Sequence, residues 1–88
     1  MAQGQGIVYQ STEESAEKSD FVKLPFNERL RRLRVWSEKT QRDVARELHI
    51  DRSTYAYYET GKTEPRIENL ITLSQIFGVT IDELLRGL

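Results

Sequence analysis

"TQRDVARELHIDRSTYAYYETG" (residues 40–61) sets two short helical patterns almost end to end. Thr40 has the side chain of a helix N-cap, with Asp43 three residues on as a shortened capping box. Val44, Ala45 and Leu48 then form one inward stripe. His49 and Ile50 interrupt it, and Asp51 is placed to cap a second pattern in which Tyr55 and Tyr58 face inward. Gly61 ends that pattern as a C′ residue. Two helices joined by so few residues cannot lie parallel; they must cross steeply and bring their backbones together. The small Ala45 on the inner face suits such an approach. Tyr55 and Tyr58 support the second helix from behind, which turns Arg52, Ser53, Ala56 and Tyr57 outward.

The remaining periodicity is also helical. Pro25 suits a first turn, and Phe26, Leu30 and Leu33 follow at spacings of four and three. After the loop "KTEP", Ile67, Leu70, Ile71, Ser74 and Phe77 keep helical spacing, with Leu73 and Ile76 widening the apolar face. Gly78 closes that helix. Thr80 and Glu83 form a capping box ahead of Ile81, Leu84, Leu85 and Leu88. The spacing predicts helices over about 26–37, 41–48, 52–60, 67–77 and 81–87, an all-α fold of five helices without core strands. Residues 1–24 hold few apolar groups and no sustained period, so they read as a polar, acidic, mobile tail before a domain over 25–88. Ile7–Tyr9 has strand-like content, and its ordered alternative is to add a strand to a second subunit. Ser11 and Glu14 could cap a helix that only Ala16 would anchor.

With 88 residues the chain has room for one small core. It contains no cysteine and only one histidine, so neither a disulfide nor a zinc cluster is expected. No apolar run approaches the about 20 residues of a membrane span, and no signal-peptide pattern opens the chain. A cytoplasmic protein without membrane contact is the expectation. The net charge is −1, but it is unevenly spread. Glu13, Glu14, Glu17 and Asp20 outnumber Lys18 and Lys23 in the first 25 residues. Between residues 29 and 66, ten basic side chains face six acidic ones. No glycine-rich phosphate loop, paired acids or nucleophile–base set is present, so neither an enzyme nor a cofactor is expected.

The steep corner with an outward second helix is a helix-turn-helix geometry, which fits a major groove roughly 12 Å wide. From about Phe26 to Leu85 the sequence closely resembles the XRE-type, lambda-repressor-like helix-turn-helix domains. Its markers are Thr40-Gln41, Ala45, Glu59-x-Gly61, Pro65 and Val79-x-x-Asp82-Glu83-Leu84. The resemblance implies a five-helix DNA-binding domain acting as a homodimer on double-stranded DNA. It implies that Arg52, Ser53 and Tyr57 read bases. It also places Gln41, Thr40, Thr54, Lys62, Thr63 and Arg66 near phosphates, and pairs Arg34 with Glu59 between the first and third helices.

Two departures stand out. His49 occupies a turn position where the family usually has glycine, a site that often needs positive φ. Glu38-Lys39 stands where the family often has Gly-Leu, which removes a core leucine and asks Lys39 to lay its stem along the surface. Arg29, Arg31 and Arg32 read as the solvated face of the first helix. Trp36, Val35 and the Leu84, Leu85, Leu88 end are the candidates for a dimer surface.

The leading expectation is a sequence-specific DNA-binding transcriptional regulator, a repressor. The alternative is a protein-interaction module on the same scaffold, antitoxin-like or antirepressor-like, which the acidic N-terminal segment favours.

Overall fold

The computed structural model describes residues 24–87. Expectations about Ile7–Tyr9, Ser11, Glu14 and Leu88 lie outside that range. Five helices follow in order: α1 (Phe26–Trp36), α2 (Gln41–Leu48), α3 (Arg52–Thr60), α4 (Ile67–Phe77) and α5 (Ile81–Arg86). Among the described residues there is no strand.

The helix ends explain the spacing. Thr40 and Asp43 form a reciprocal capping box: the Asp43 amide donates to Thr40 Oγ1 at 3.0 Å, and the Thr40 amide to Asp43 Oδ2 at 2.9 Å. Thr80 and Glu83 repeat the device at α5, at 3.0 and 2.9 Å. Each satisfies two donors that a helix start leaves without intrahelical partners. Asp51 occupies the N-cap of α3 but makes no side-chain cap bond, contrary to its capping role in the sequence reading.

α2 is bracketed by two non-glycine residues in the left-handed region, Glu38 (φ 57°) and His49 (φ 59°). At each, the chain folds back to satisfy a helix-end carbonyl: Lys39 N–H donates to Arg34 O at 3.2 Å, and Ile50 N–H to Ala45 O at 3.0 Å. These turns define the length of α2 and point α3 away from it.

The core is one cluster. α1 gives Leu30 and Leu33, α2 gives Val44, Ala45 and Leu48, and α3 gives Tyr55 and Tyr58. Leu73 from α4 and Leu84 from α5 complete it. The two tyrosine rings meet edge to face, with centroids 6.0 Å apart and planes at 79°. α2 packs on α3 and α4, while α1 packs on α3 and α5.

Three further sequence expectations need correction. Leu84 is fully buried in this chain's own core, so it is not available as a dimer residue. α5 packs on both α1 and α4, and Leu84 is the side chain it inserts. Ile67, placed on the inward stripe of α4, is 74% exposed, and Ile71 is exposed too. The buried face of α4 instead runs through Leu73 and Ser74, with Leu70, Ile76 and Phe77 partly covered.

Arg29 is the third. Rather than lying on the wet face of α1, it is 6% exposed, and its guanidinium donates to the backbone carbonyls of Leu24 and Leu85. Carbonyls in the last turn of a helix lack intrahelical partners and carry the negative end of its dipole, so a cation fits there. Burial lowers the pKa of this guanidinium, which nonetheless stays charged.

Candidate nucleic-acid interface

α3 divides its residues cleanly. Tyr55, Tyr58 and Glu59 face the interior, while Arg52, Ser53 and Tyr57 are exposed and Thr54 and Ala56 are half-buried. The outer face follows from the inner one: with Tyr55 and Tyr58 fixed in the core, helical spacing leaves Ser53 and Tyr57 no route inward. Arg52, one turn before Tyr55, lies on the flank of α3 beside α2 and is exposed as the helix's first residue.

Beneath this face lies a hydrogen-bonded network anchored on Glu59, which is 4% exposed. Arg34 grips its carboxylate through two bonds, Nε to Oε2 at 2.6 Å and Nη2 to Oε1 at 3.1 Å. The Tyr55 hydroxyl donates to Oε2, and Gln41 Nε2 donates to Oε1 at 3.1 Å. Arg34 Nη1 also donates to the Lys39 carbonyl at 3.0 Å, tying the pair to the turn before α2. Burial alone would raise the Glu59 carboxyl pKa; the bonds from Arg34, Tyr55 and Gln41 outweigh it and hold the group below the ordinary range. The Arg34 guanidinium is raised, chiefly by its bond to Glu59. Burial and the bond to Glu59 push the Tyr55 phenol well above its usual value.

The network reaches the surface through Gln41. Its Oε1 accepts from Arg52 Nη1 at 3.0 Å, linking the first residue of α3 to the first of α2. Here lies an open depression of about 420 Å³, walled by Arg34, Lys39, Thr40, Gln41, Arg42 and Arg52. Four of these six are cations. The α2 N-terminus opens at the same place, where the Gln41 and Arg42 amides have no intrahelical carbonyl to bond. An anion suits that combination of backbone donors, helix dipole and side-chain charge. One Gln41 amide hydrogen is engaged by Glu59, which leaves the second for a ligand.

A second grouping lies farther along α3. The Lys62 ammonium sits 4.6 Å from the Tyr57 ring centroid, a cation–π contact that pairs a charge with the exposed aromatic. Thr63 and Arg66 are exposed in the segment after α3 and do not wall the depression. Thus Thr40, Gln41 and Arg52 converge with Arg34, and Tyr57 joins Lys62. Ser53 and Thr54 occupy α3 between the two groups.

The depression includes two cations absent from the sequence-derived site, Lys39 and Arg42. Flanking Thr40-Gln41 on both sides, they were legible as neighbours of a helix start. Of the apolar candidates for subunit contact, Trp36 is exposed at the end of α1 and Leu85 on α5. No helix among the described residues is long and apolar enough to cross a membrane.

Comparison with known proteins gives a consistent pattern. A profile described as helix-turn-helix matches residues 30–84. The HTH-type transcriptional activator BcrR of Enterococcus faecalis is 42% identical over 64 residues, covering 73% of this chain and 31% of BcrR. The cryptic phage CTXphi transcriptional repressor RstR of Vibrio cholerae is 36% identical over 59 residues, covering 67% of this chain and 53% of RstR. The chain thus spans about half of RstR and less than a third of BcrR. Among solved structures, the P22 c2 repressor in complex with synthetic operator 9T superposes with a TM-score of 0.69 at 28% identity. That match covers 74% of this chain and 98% of the repressor chain.

Proposed function

The chain belongs to the helix-turn-helix family, and from that membership we propose that it is a sequence-specific DNA-binding regulator of transcription. The observation that carries the reading is the exposed α3 face beginning at Arg52, bordered by a four-cation depression at the α2 N-terminus. α3 enters the major groove. Arg52 meets guanine O6 and N7 with its fork of donors, and Ser53 and Tyr57 meet neighbouring base edges. Thr40, Gln41 and Thr54 hold phosphates together with Lys39 and Arg42, while Lys62, Thr63 and Arg66 hold phosphates beyond the end of α3. Residues 25–88 are the DNA-binding unit of this reading, and the protein works in the cytoplasm.

Repression is the sign this reading favours, because occupying an operator needs no surface beyond the DNA-binding one. The likeness to the P22 c2 repressor bound to a synthetic operator and to the repressor RstR supports it, whereas the relative BcrR is an activator. Two copies bind together, which lets one α3 enter each half-site about one helical turn apart. With Leu84 committed to the core, the contact between copies falls to exposed groups such as Trp36 and Leu85.

Phosphate contacts make affinity depend on salt, whereas base contacts select the site. Titration of a random-sequence duplex at low and high salt tests this. The expected result is background binding with Kd of roughly 10⁻⁴ to 10⁻⁶ M that collapses as salt rises. Absence of any binding at low salt would contradict the reading and favour a protein partner for the same face.

A further inference from the structure

Glu59 has two oxygens with different tasks. Oε2 accepts from Arg34 and Tyr55 inside the core, whereas Oε1 also accepts from Gln41 Nε2 at 3.1 Å, on the outward side of the ion pair. An ionised carboxylate offers only acceptors, so it admits one orientation of the Gln41 amide: nitrogen inward, oxygen outward. The reverse would set two acceptor oxygens against each other. Held that way, Gln41 Oε1 accepts from Arg52 Nη1 at 3.0 Å. A long, exposed arginine is thereby tied through two hydrogen bonds to a carboxylate in the protein interior.

We infer that Glu59 is a positioning residue for base reading: it orients the Gln41 amide, and the Gln41 oxygen in turn aims the Arg52 guanidinium before DNA arrives. The inference rests on the reading in which Arg52 meets a base edge. Bidentate recognition requires the plane and direction of the guanidinium fork to be set, and ordering it in advance removes that cost from binding. One of its five donors is held by Gln41, and four remain for the DNA. The buried pair is then more than a brace between α1 and α3, because it selects among the directions in which α3 presents its first side chain.

The full-length chain is compared with Gln41→Met, Glu59→Gln and the apolar double variant Arg34→Met/Glu59→Leu. The double variant remains informative should Glu59→Gln fail to fold, since it leaves no buried charge unpaired. Two readouts are taken. One is the ratio of affinities for the preferred duplex and a duplex changed at the base pair that Arg52 reads. The other is ¹⁵N relaxation of the Arg52 Nε–H group without DNA.

The ratio is expected to fall roughly tenfold in each variant, within the range of one good bidentate contact. Random-duplex affinity stays little changed in Glu59→Gln, whereas Gln41→Met, which also removes a phosphate contact, lowers it as well. Adding Arg52→Ala to Glu59→Gln or to the double variant should lower the ratio no further than Arg52→Ala alone. The Arg52 side chain should become more mobile. A folded Glu59 variant that keeps both the wild-type ratio and the wild-type Arg52 order overturns the inference and leaves the DNA-binding reading standing. Failure of the wild type to bind any duplex overturns that reading instead, and the relaxation measurement, which needs no DNA, still decides whether Glu59 orders Arg52.

Discussion

A single carboxylate, Glu59, accepts hydrogen bonds from Arg34, Tyr55 and Gln41, and its folded-state pKa is depressed as a result. A carboxyl in that condition adds stability above its unfolded pKa, about 4.3 for glutamate, and loses it as pH falls through the lower folded value. Tyr55→Phe removes one of the bonds to the charged form and raises the folded pKa. It should cost roughly 1.5–3 kcal/mol near neutral pH, and acid unfolding followed by circular dichroism should begin at higher pH. An acid limb that stays in place would show that the hydroxyl bond does not help hold the carboxylate ionised. Arg34→Ala should be harsher, about 3–5 kcal/mol, because it strands a buried charge. Replacing both partners with apolar groups should cost less, and a denaturant titration in which the double variant is the weaker of the two would contradict a desolvated pair.

At the scale of elements, the two left-handed residues around α2 store strain that glycine would relieve. A left-handed L-residue costs roughly 1–2 kcal/mol, part of which glycine returns through its larger unfolded entropy. His49→Gly and Glu38→Gly should therefore each stabilise the protein by about 0.5–1 kcal/mol. Chemical denaturation measures this, and destabilisation by both would contradict the observed φ values. His49 was legible as a positive-φ turn because the family resemblance marks a glycine there. Glu38 also stands at a family glycine, yet only the missing leucine beside it drew notice in the sequence. The five-helix, all-α architecture was readable from apolar spacing and from the Thr40 and Thr80 caps. The buried face of α4 was not, because Ile67, Leu70, Ile71 and Leu73 offer an apolar stripe wider than the core covers, and only packing decides which part turns inward. Arg29 was hidden for a related reason. Its partners are backbone carbonyls, one of them on α5, and no pattern of side chains announces a carbonyl left open at a helix end.

For the whole molecule, neighbouring leucines on α5 separate folding from association. Leu84→Ala should destabilise the domain by roughly 2–5 kcal/mol, since it empties a fully buried core position. Leu85→Lys changes an exposed side chain, and should leave thermal stability nearly unchanged while weakening cooperative occupancy of paired half-sites. Sedimentation together with thermal melts checks both; a Leu85→Lys protein that fills paired half-sites as cooperatively as wild type would exclude that surface from the proposed contact between copies. Charge also acts at this scale. The chain is nearly neutral, so its average says little about a nucleic-acid partner, whereas the fold gathers Arg34, Lys39, Arg42 and Arg52 around one helix start. Sequence reading found the basic half of the chain and the outward face of α3; the depression itself required the corner between α2 and α3 to be built.

The outward face of α3 as the reader of sequence is tested most directly by the affinities of wild type and Arg52→Ala for a duplex selected from a randomised pool and for its single-base variants. The expected outcome is a loss of roughly 1–3 kcal/mol of discrimination at one base pair, with binding to scrambled duplex little altered. An equal fall on selected and scrambled duplexes would mean that Arg52 supplies charge alone, and that the choice of site is made elsewhere.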